Sequence, residues 1–237
     1  MKLYISANGY TDEQIRTAGE VKETLEKQGQ EIVSSAEECD IILSLGGDGA
    51  LLRAFQEAFR ADRPLLGINS GRLGYLCALK QEEIAGFESV LKQCRISERS
   101  VLSCRLDGET RYALNDIIVS KNDFGQTVDL DLKIEKKYRY SMRGDGLIVC
   151  TPTGSTAYNL SASGPLLEED TGVLAVTPIC AHTRDILPLV IPETKKITVT
   201  VNHSSAGVYA DGIHAGDTSG SVEISTAGRK LKLYVRD

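Results

Sequence analysis

Residues 41–55, which read IILSLGGDGALLRAF, carry the pattern that decides the fold of this chain. The run 41–45 predicts a buried strand, and the apolar residues from Leu51 to Phe55 recur at helical spacing. Between them lie Gly46, Gly47, Asp48 and Gly49. Glycines let backbone N–H groups approach a ligand closely, and the positive amino-terminal end of a helix attracts anions. The segment therefore predicts a phosphate-binding loop between a strand and a helix.

Asp48 is the unexpected member of this loop. A carboxylate inside an anion-binding loop is repelled by the anion unless it binds a metal ion or a reacting hydroxyl, which indicates a chemical role. The same residue also fits an ordinary strand-to-helix turn in which Asp48 caps the helix. Arg53 falls in the first turns of the helix, where it either reaches a phosphate or is a solvent-exposed helix arginine.

The two halves of the chain differ in their apolar period. Before residue 98, strand-like runs alternate with helical patterns, and the first helix begins with a capping box at Thr11-x-x-Gln14. After residue 98, apolar residues alternate with polar ones, as in residues 128–134 and 197–201. We therefore expect an α/β domain over residues 1–97 that carries the GGDG loop, and an all-β domain over residues 98–237.

A second cluster of polar residues spans residues 143–164, RGDGLIVCTPTGSTAYNLSASG. Its hydroxyl groups suit the recognition of ribose and amide groups, and Tyr158 is suited to packing against a flat ring. The same hydroxyls are also typical of a Ser/Thr-rich turn that caps a helix.

Composition narrows the function classes. The formal net charge of -6 argues against non-specific binding to nucleic acid or anionic lipid. No apolar run approaches the ~20 residues of a membrane span, and the amino terminus does not read as a signal peptide. The six cysteines show no C-x-x-C pair and are expected to be reduced thiols. We expect a cytoplasmic protein without a nucleic-acid or membrane partner.

Taken together, the motifs resemble those of the NAD kinase family. The matching segments follow the family's order from about residue 40 to 215: LGGDGALLRAF, LGINSGRLGYL at 66–76, LNDIIVS at 114–120, and RGDGLIVCTPTGSTAYNLSASGP from residue 143. The resemblance implies a two-domain kinase with its site in the inter-domain cleft and with NAD bound by the β-rich domain. It implies phosphorylation of the adenosine 2′-hydroxyl of NAD by ATP or polyphosphate, with a divalent cation such as Mg²⁺. It also implies a homo-oligomer.

The resemblance further implies roles for individual residues. Asp48 matches the aspartate that activates the acceptor hydroxyl, whereas Ala50 and Asp116 stand where the family usually has Thr and Glu. No metal ligand is assigned. The expected substrate contacts are Gly46, Gly47, Gly49, Arg53, Asn115, Asp116, Arg143, Asp145, Ser155, Thr156, Ala157, Tyr158 and Ser161.

Two other functions fit parts of this pattern. A lipid kinase of the diacylglycerol or sphingosine type shares the GGDG loop and the two-domain plan, but it needs a surface that docks on a membrane. A non-catalytic NAD(P) sensor would keep Asp48 for structural reasons only.

Overall fold

The structure is a computed structural model that describes residues 1–7, 11–71, 74–183 and 185–236. The chain divides into two compact units, the first formed by Met1–Arg99 with Leu231–Asp237 and the second by Ser100–Lys230. Among the described residues, no helix has both the length and the apolar character needed to cross a membrane.

The first unit is built around one sheet with helices packed on it, which confirms the predicted α/β class, although the sheet is mixed rather than purely parallel. Its strands are β1 Lys2–Ser6, β2 Glu31–Ile32, β3 Ile41–Leu45, β4 Leu65–Asn69, β5 Leu79–Lys80, β6 Arg95–Arg99 and β19 Leu231–Val235. Its helices are α1 Asp12–Lys27, α2 Asp48–Ala61 and α3 Phe87–Leu91. The strand order is β2-β1-β3-β4-β19-β6, and β5 pairs with β4. Every pairing is parallel except that of β19 with β6.

Helix α1 begins at the predicted capping box. The Thr11 hydroxyl accepts the N–H of Gln14 at 3.3 Å, and the Gln14 side chain accepts the N–H of Thr11 at 3.0 Å. The buried face of the helix includes Val21 and Leu25, whereas Ile15 in the first turn is 56% exposed. The apolar face of α1 is therefore buried except at this end of the helix.

Helix α2 packs directly against the central strands. Strand β3 is buried along its whole length, and Phe55 of α2 is fully buried. A Cβ added to Gly67 in β4 would come within 2.7 Å of Leu51 Cδ1 and 3.0 Å of the Cα of Cys77. The absence of a side chain at Gly67 therefore allows α2 and the segment after β4 to approach the sheet closely.

The last strand belongs to the first unit, although its alternating pattern is typical of the β-rich residues that precede it. Leu233 of β19 pairs with Leu65 of β4, and the whole of β19 pairs with β6. Leu231 and Leu233 are buried there. A period of two identifies a strand but does not specify the sheet that it joins, which explains the difference from the expected boundary.

The second unit consists of two six-stranded antiparallel sheets, which confirms its all-β character. The first sheet has the order β11-β10-β15-β18-β7-β8, and the second has the order β14-β13-β12-β9-β16-β17. The strands are β7 Leu102–Leu106, β8 Glu109–Ala113, β9 Asp116–Lys121, β10 Val128–Ile134, β11 Lys137–Gly144, β12 Gly146–Cys150, β13 Val173–Ile179, β14 Leu189–Pro192, β15 Ile197–Asn202, β16 Ala206–Ala210, β17 Ile213–Thr218 and β18 Ser221–Thr226.

Alternation along the strands gives the second sheet two different faces. Ile117 and Val119 of β9 belong to the core that also contains Val128 and Leu130 of the first sheet. Ile118, between them, faces the opposite side and packs in a smaller apolar cluster. The hydroxyl-rich segment lies on this outer face, where Thr153–Thr156 forms a 3₁₀ turn and Tyr158–Ser161 forms the short helix α4.

Candidate functional site

The GGDG loop is a sharp turn that requires glycine at its first position. Gly46 has φ +128°, and a Cβ there would come within 2.8 Å of Gln14 Nε2 and 3.0 Å of the Ala50 Cβ. The Gly46 N–H donates to the Ile68 carbonyl at 2.9 Å, so Gly46 serves the turn itself. Gly47 is the N-cap of α2, and Asp48 is its first residue.

The N–H groups that follow are suited to binding an anion. Gly47, Asp48 and Gly49 lie where an α-helix leaves its N–H groups without acceptors in the helix itself. Arg53 is half-buried on the same part of the helix, and its Nη1 lies 3.9 Å from the position of a Cβ at Gly49. Ala50, which replaces the usual Thr, is buried.

The Asp48 carboxylate holds a second loop against the helix. Its Oδ2 accepts the N–H of Tyr75 and its Oδ1 accepts the N–H of Leu76, both at 3.0 Å. A Cβ at Gly74 would lie 2.3 Å from Oδ1, so glycine is required at this approach. Asp48 therefore does not act as the helix cap. Among the described residues each oxygen accepts one of these N–H groups, which leaves it a further lone pair for a proton or a cation. Arg72 and Leu73 of the matched segment 66–76 lie outside the described residues.

Several hydroxyl groups of the second cluster stabilise the loop from inside. Ser155 is fully buried, and its Oγ donates to the Pro152 carbonyl at 2.7 Å and accepts the Leu167 N–H at 3.1 Å. Thr151 Oγ1 donates to the Leu114 carbonyl at 2.6 Å. The predicted contact residues on the outside of the loop are the half-buried Ala157 and the exposed Thr156, Tyr158 and Ser161.

This loop packs on the backbone of Asn115. The Thr151 N–H donates to the Asn115 carbonyl at 2.9 Å. A Cβ at Gly154 would lie 2.1 Å from the same carbonyl oxygen, so only glycine allows the two segments to approach this closely. The structure thereby brings together two motifs that are separated by about 30 residues in the sequence.

The half-buried Asp211 carboxylate holds the Asn115 segment from the other side. The Asp211 carboxylate accepts the N–H groups of Leu114 at 2.8 Å, Asn115 at 2.7 Å and Asp116 at 3.2 Å. Asp211 and Gly212 have φ values of 49° and 76° and form the turn between β16 and β17. The Asp211-Gly212 turn therefore joins two paired strands, and its carboxylate also positions the segment from Leu114 to Asp116.

Asp116 and Asp211 form a coupled acidic pair. Burial raises the pKa of Asp211 to about 6, although the three N–H bonds act in the opposite direction. Burial, together with the negative charge of Asp211, raises the pKa of Asp116 to about 7. Hydrogen bonds from N–H groups stabilise the ionised form of a carboxyl group. Because Asp211 accepts three of them, we assign the ionised form to Asp211 and the protonated form to Asp116.

Asp145 and Tyr158 line a cavity of about 470 Å³ on the outer face of the second sheet. This size lies within the ~300–1,000 Å³ range of small-molecule sites. The Asp145 carboxylate forms a 2.7 Å ion pair with Lys121. The other lining residues are Ile118, Ser120, Lys121, Asn122, Asp123, Phe124, Ile179, Tyr209 and Gly212. No sequence motif marks Lys121, Phe124 or Tyr209, so the sequence alone does not predict their place in this cavity.

Arg143 is not brought to this cavity. The chain passes from the first sheet of the unit to the second between Gly144, which ends β11, and Gly146, which begins β12. The Arg143 guanidinium makes two 2.7 Å hydrogen bonds to Asp129 and lines a different cavity. Residues 143 and 145 therefore separate in space although they lie in one motif.

The arrangement of the acidic side chains suits a divalent cation that binds together with substrate phosphates, rather than a cation held by protein ligands alone. Within the described ranges, no group of three or more His, Cys, Asp or Glu residues could hold a metal ion. Mg²⁺ commonly binds one or two carboxylates together with substrate phosphates. The remaining lone pairs of Asp48, beside the N–H groups of the GGDG loop, meet that requirement.

Comparisons with known proteins agree on one family. Residues 10–95 match the model of the ATP-NAD kinase N-terminal domain, and residues 114–234 match that of the ATP-NAD kinase C-terminal domain. An NAD kinase of Sulfurimonas denitrificans is 35% identical over 208 residues, which cover 84% of this chain and 73% of that protein.

Two solved structures have a similar fold. The chain matches an NAD kinase from Archaeoglobus fulgidus in complex with ATP with a TM-score of 0.82 and 26% identity, covering 100% of this chain and 94% of that one. It matches a yeast NADH kinase complexed with NADH with a TM-score of 0.85, covering 100% of this chain and 84% of that one. At 20% identity, the second match supports the fold alone.

The acidic pair predicts a stability that falls as pH rises. An acid whose pKa is higher in the folded than in the unfolded chain binds more protons when folded, so stability decreases from the unfolded pKa near 4 through the folded value. We expect the free energy of unfolding to fall by about 1–3 kcal/mol between pH 5 and pH 8. Asp116→Asn should remove most of this slope, as measured by urea unfolding at each pH.

The exposed Asp170 of the same unit offers a matched control for the loss of one negative charge. If Asp116→Asn and Asp170→Asn gave the same pH profile as the unsubstituted protein, the acidic pair would not be responsible for the slope.

Proposed function

The chain belongs to the NAD kinase family and phosphorylates NAD to NADP, and we propose that it transfers the γ-phosphoryl group of ATP to the adenosine 2′-hydroxyl. The two family models, matched in order over residues 10–95 and 114–234, carry this conclusion. The comparisons give no support to a lipid kinase.

We propose that the GGDG loop binds phosphate groups of the substrates. Backbone N–H groups at the start of α2 and the guanidinium of Arg53 supply the positive potential. Phosphoryl transfer asks a protein mainly for positioning and for stabilisation of developing negative charge. Mg²⁺, bound by the donor phosphates and in reach of carboxylates such as Asp48, would neutralise part of that charge.

Asp48 is proposed to orient the acceptor hydroxyl and to take its proton late in the reaction. The carboxylate is half-buried, and the N–H groups of Tyr75 and Leu76 fix its orientation. A carboxylate held in this way loses little conformational freedom when a hydroxyl binds to it, because its rotamer is already set. Its remaining lone pairs accept the hydrogen bond from the 2′-hydroxyl.

The residues of the second unit are proposed to bind NAD. Tyr158 and Asp145 line the 470 Å³ cavity, and the Asn115–Asp116 pair is held beside the hydroxyl-rich loop. Thr156, Ala157 and Ser161 lie on the outward side of that loop. Ser155 contributes by positioning, because its hydroxyl is engaged inside the loop.

A turnover assay tests the proposal as a whole. The purified protein, given NAD, ATP and Mg²⁺, should form NADP, which a specific dehydrogenase detects. Polyphosphate in place of ATP tests the alternative donor, and NADH in place of NAD tests the acceptor. Binding of NAD without any NADP formation from either donor would instead support a sensor.

Replacing Asp48 separates its chemical role from its contacts with the loop. Asp48→Asn preserves shape and removes the negative charge, and we expect kcat to fall by about 10²–10⁴-fold. NAD affinity should remain unchanged or improve, because repulsion between the carboxylate and the pyrophosphate is relieved. Single-turnover kinetics and equilibrium NAD binding measure the two effects.

Asp12 is the matched control, because it is an exposed aspartate at the corresponding first position of α1. Asp12→Asn should leave kcat unchanged. If Asp48→Asn kept a near-normal kcat, the role as base would be excluded. A variant that lost NAD binding and melted at a much lower temperature would show that Asp48 serves only to hold the loop.

The NAD-binding residues should affect KM rather than kcat. Tyr158→Ala removes a ring contact and Asn115→Ala removes polar groups, and each loss costs on the order of 1–3 kcal/mol of affinity. We expect the KM for NAD to rise about tenfold or more in either variant, with little change in the KM for ATP. A change confined to the KM for ATP would contradict the assignment.

We further propose a cytoplasmic homo-oligomer. The proposal rests on the family and on the many strands of the second unit, whose edges are suited to pairing between subunits. Light scattering at micromolar concentration should give a multiple of the 25.7 kDa chain mass. A monomer mass with full activity would contradict it.

A further inference from the structure

The connection between β9 and β10 places an exposed aromatic ring at the cavity that holds Asp145 and Tyr158. Phe124 lines this cavity, yet its side chain is fully exposed. Burying a phenylalanine side chain is worth ~1.5–3 kcal/mol, so an exposed ring at a cavity retains binding energy that a ligand can use. Tyr158 and Tyr209 also line the cavity, which gives it three aromatic residues.

Lys121 connects this ring to Asp145. Its ammonium lies 2.7 Å from the Asp145 Oδ1, donates to the Phe124 carbonyl at 3.1 Å and lies 5.7 Å from the centroid of the Phe124 ring. One partly buried side chain therefore fixes the carboxylate and the backbone of the aromatic residue together.

The ion pair between Lys121 and Asp145 also changes the net charge of the cavity. A carboxylate at this position would repel the pyrophosphate of a dinucleotide, because both carry negative charge. The paired Lys121 offsets that charge, and the Lys121 side chain is only 20% exposed, so solvent screens the pair less than a surface ion pair. The carboxylate remains partly accessible to accept hydrogen bonds from a ligand.

We propose that Phe124 stacks on a flat heteroaromatic ring of the dinucleotide, and that Lys121 is a positioning residue that sets Phe124 and Asp145 around that ring. The inference rests on the proposed function and adds two residues to the NAD site. Offset stacking needs a flat ring surface and a freely accessible aromatic face, and the fully exposed Phe124 provides the latter.

Substituting Phe124 tests the stacking contact. Phe124→Ala should raise the KM for NAD about five- to twentyfold and change kcat less than twofold, whereas Phe124→Tyr should restore most of the affinity. Because the side chain is exposed, the melting temperature should not change. Tyr138, an exposed aromatic residue of the first sheet of the unit, is the matched control, and Tyr138→Ala should leave the KM for NAD unchanged.

Direct binding distinguishes the two rings of NAD. Calorimetric titration with adenosine monophosphate and with nicotinamide mononucleotide, each on the protein and on Phe124→Ala, shows which half of the dinucleotide loses affinity. A loss for either one identifies the stacked ring. No loss for either, with an unchanged KM for NAD, overturns the proposal.

Substituting Lys121 tests the positioning role. Lys121→Met keeps the apolar stem and leaves Asp145 unpaired, so the KM for NAD should rise about tenfold with little change in kcat, and Lys121→Arg should recover most of the loss. An equal effect of Met and Arg would contradict positioning through the ion pair. If the unsubstituted protein formed no NADP, the proposed function would be refuted. If the protein were active and the Phe124 and Lys121 variants kept its KM for NAD, this inference alone would be refuted.

Discussion

The candidate site in the second unit depends on one carboxylate that is bonded to main-chain N–H groups. Asp211 accepts three of them, from Leu114, Asn115 and Asp116. The segment fixed in this way then offers the Asn115 carbonyl to Thr151 and leaves room only for glycine at position 154. Hydrogen bonds to a charged acceptor are roughly twice as strong as neutral ones, so one side chain can hold this short segment in place.

The first unit uses the same device at the GGDG loop. The Asp48 carboxylate accepts N–H groups from Tyr75 and Leu76, as Asp211 does from its three partners. The two acids differ in surroundings, because Asp211 and Asp116 are close enough for their charges to raise the pKa of Asp116. Ionisation of the buried Asp116 beside Asp211 costs stability as the pH rises, and such a cost is typical of sites that serve a ligand rather than the fold.

Much of the architecture could be predicted from local patterns. The capping box at Thr11, the buried strand at residues 41–45 and the Asp107-Gly108 hairpin, whose φ values are 50° and 81°, all depend on neighbouring residues. The last strand could not be assigned, because its partners β4 and β6 lie more than 130 residues earlier in the chain. Local patterns specify elements, and long-range pairing specifies where they join.

The candidate site shows the same limit at the level of single residues. Arg143 and Asp145 belong to one motif, but the chain changes sheets at Gly144–Gly146 and directs the arginine to Asp129. The hydroxyls of residues 151–161 form one set in the sequence, whereas in the structure Ser155 is bonded inside the loop and Ser161 is exposed. Lys121 belongs to no motif, yet it contacts Asp145 because β9 and β12 are paired neighbours. A motif thus predicts which chemistry is present, whereas strand pairing decides which side chains share a cavity.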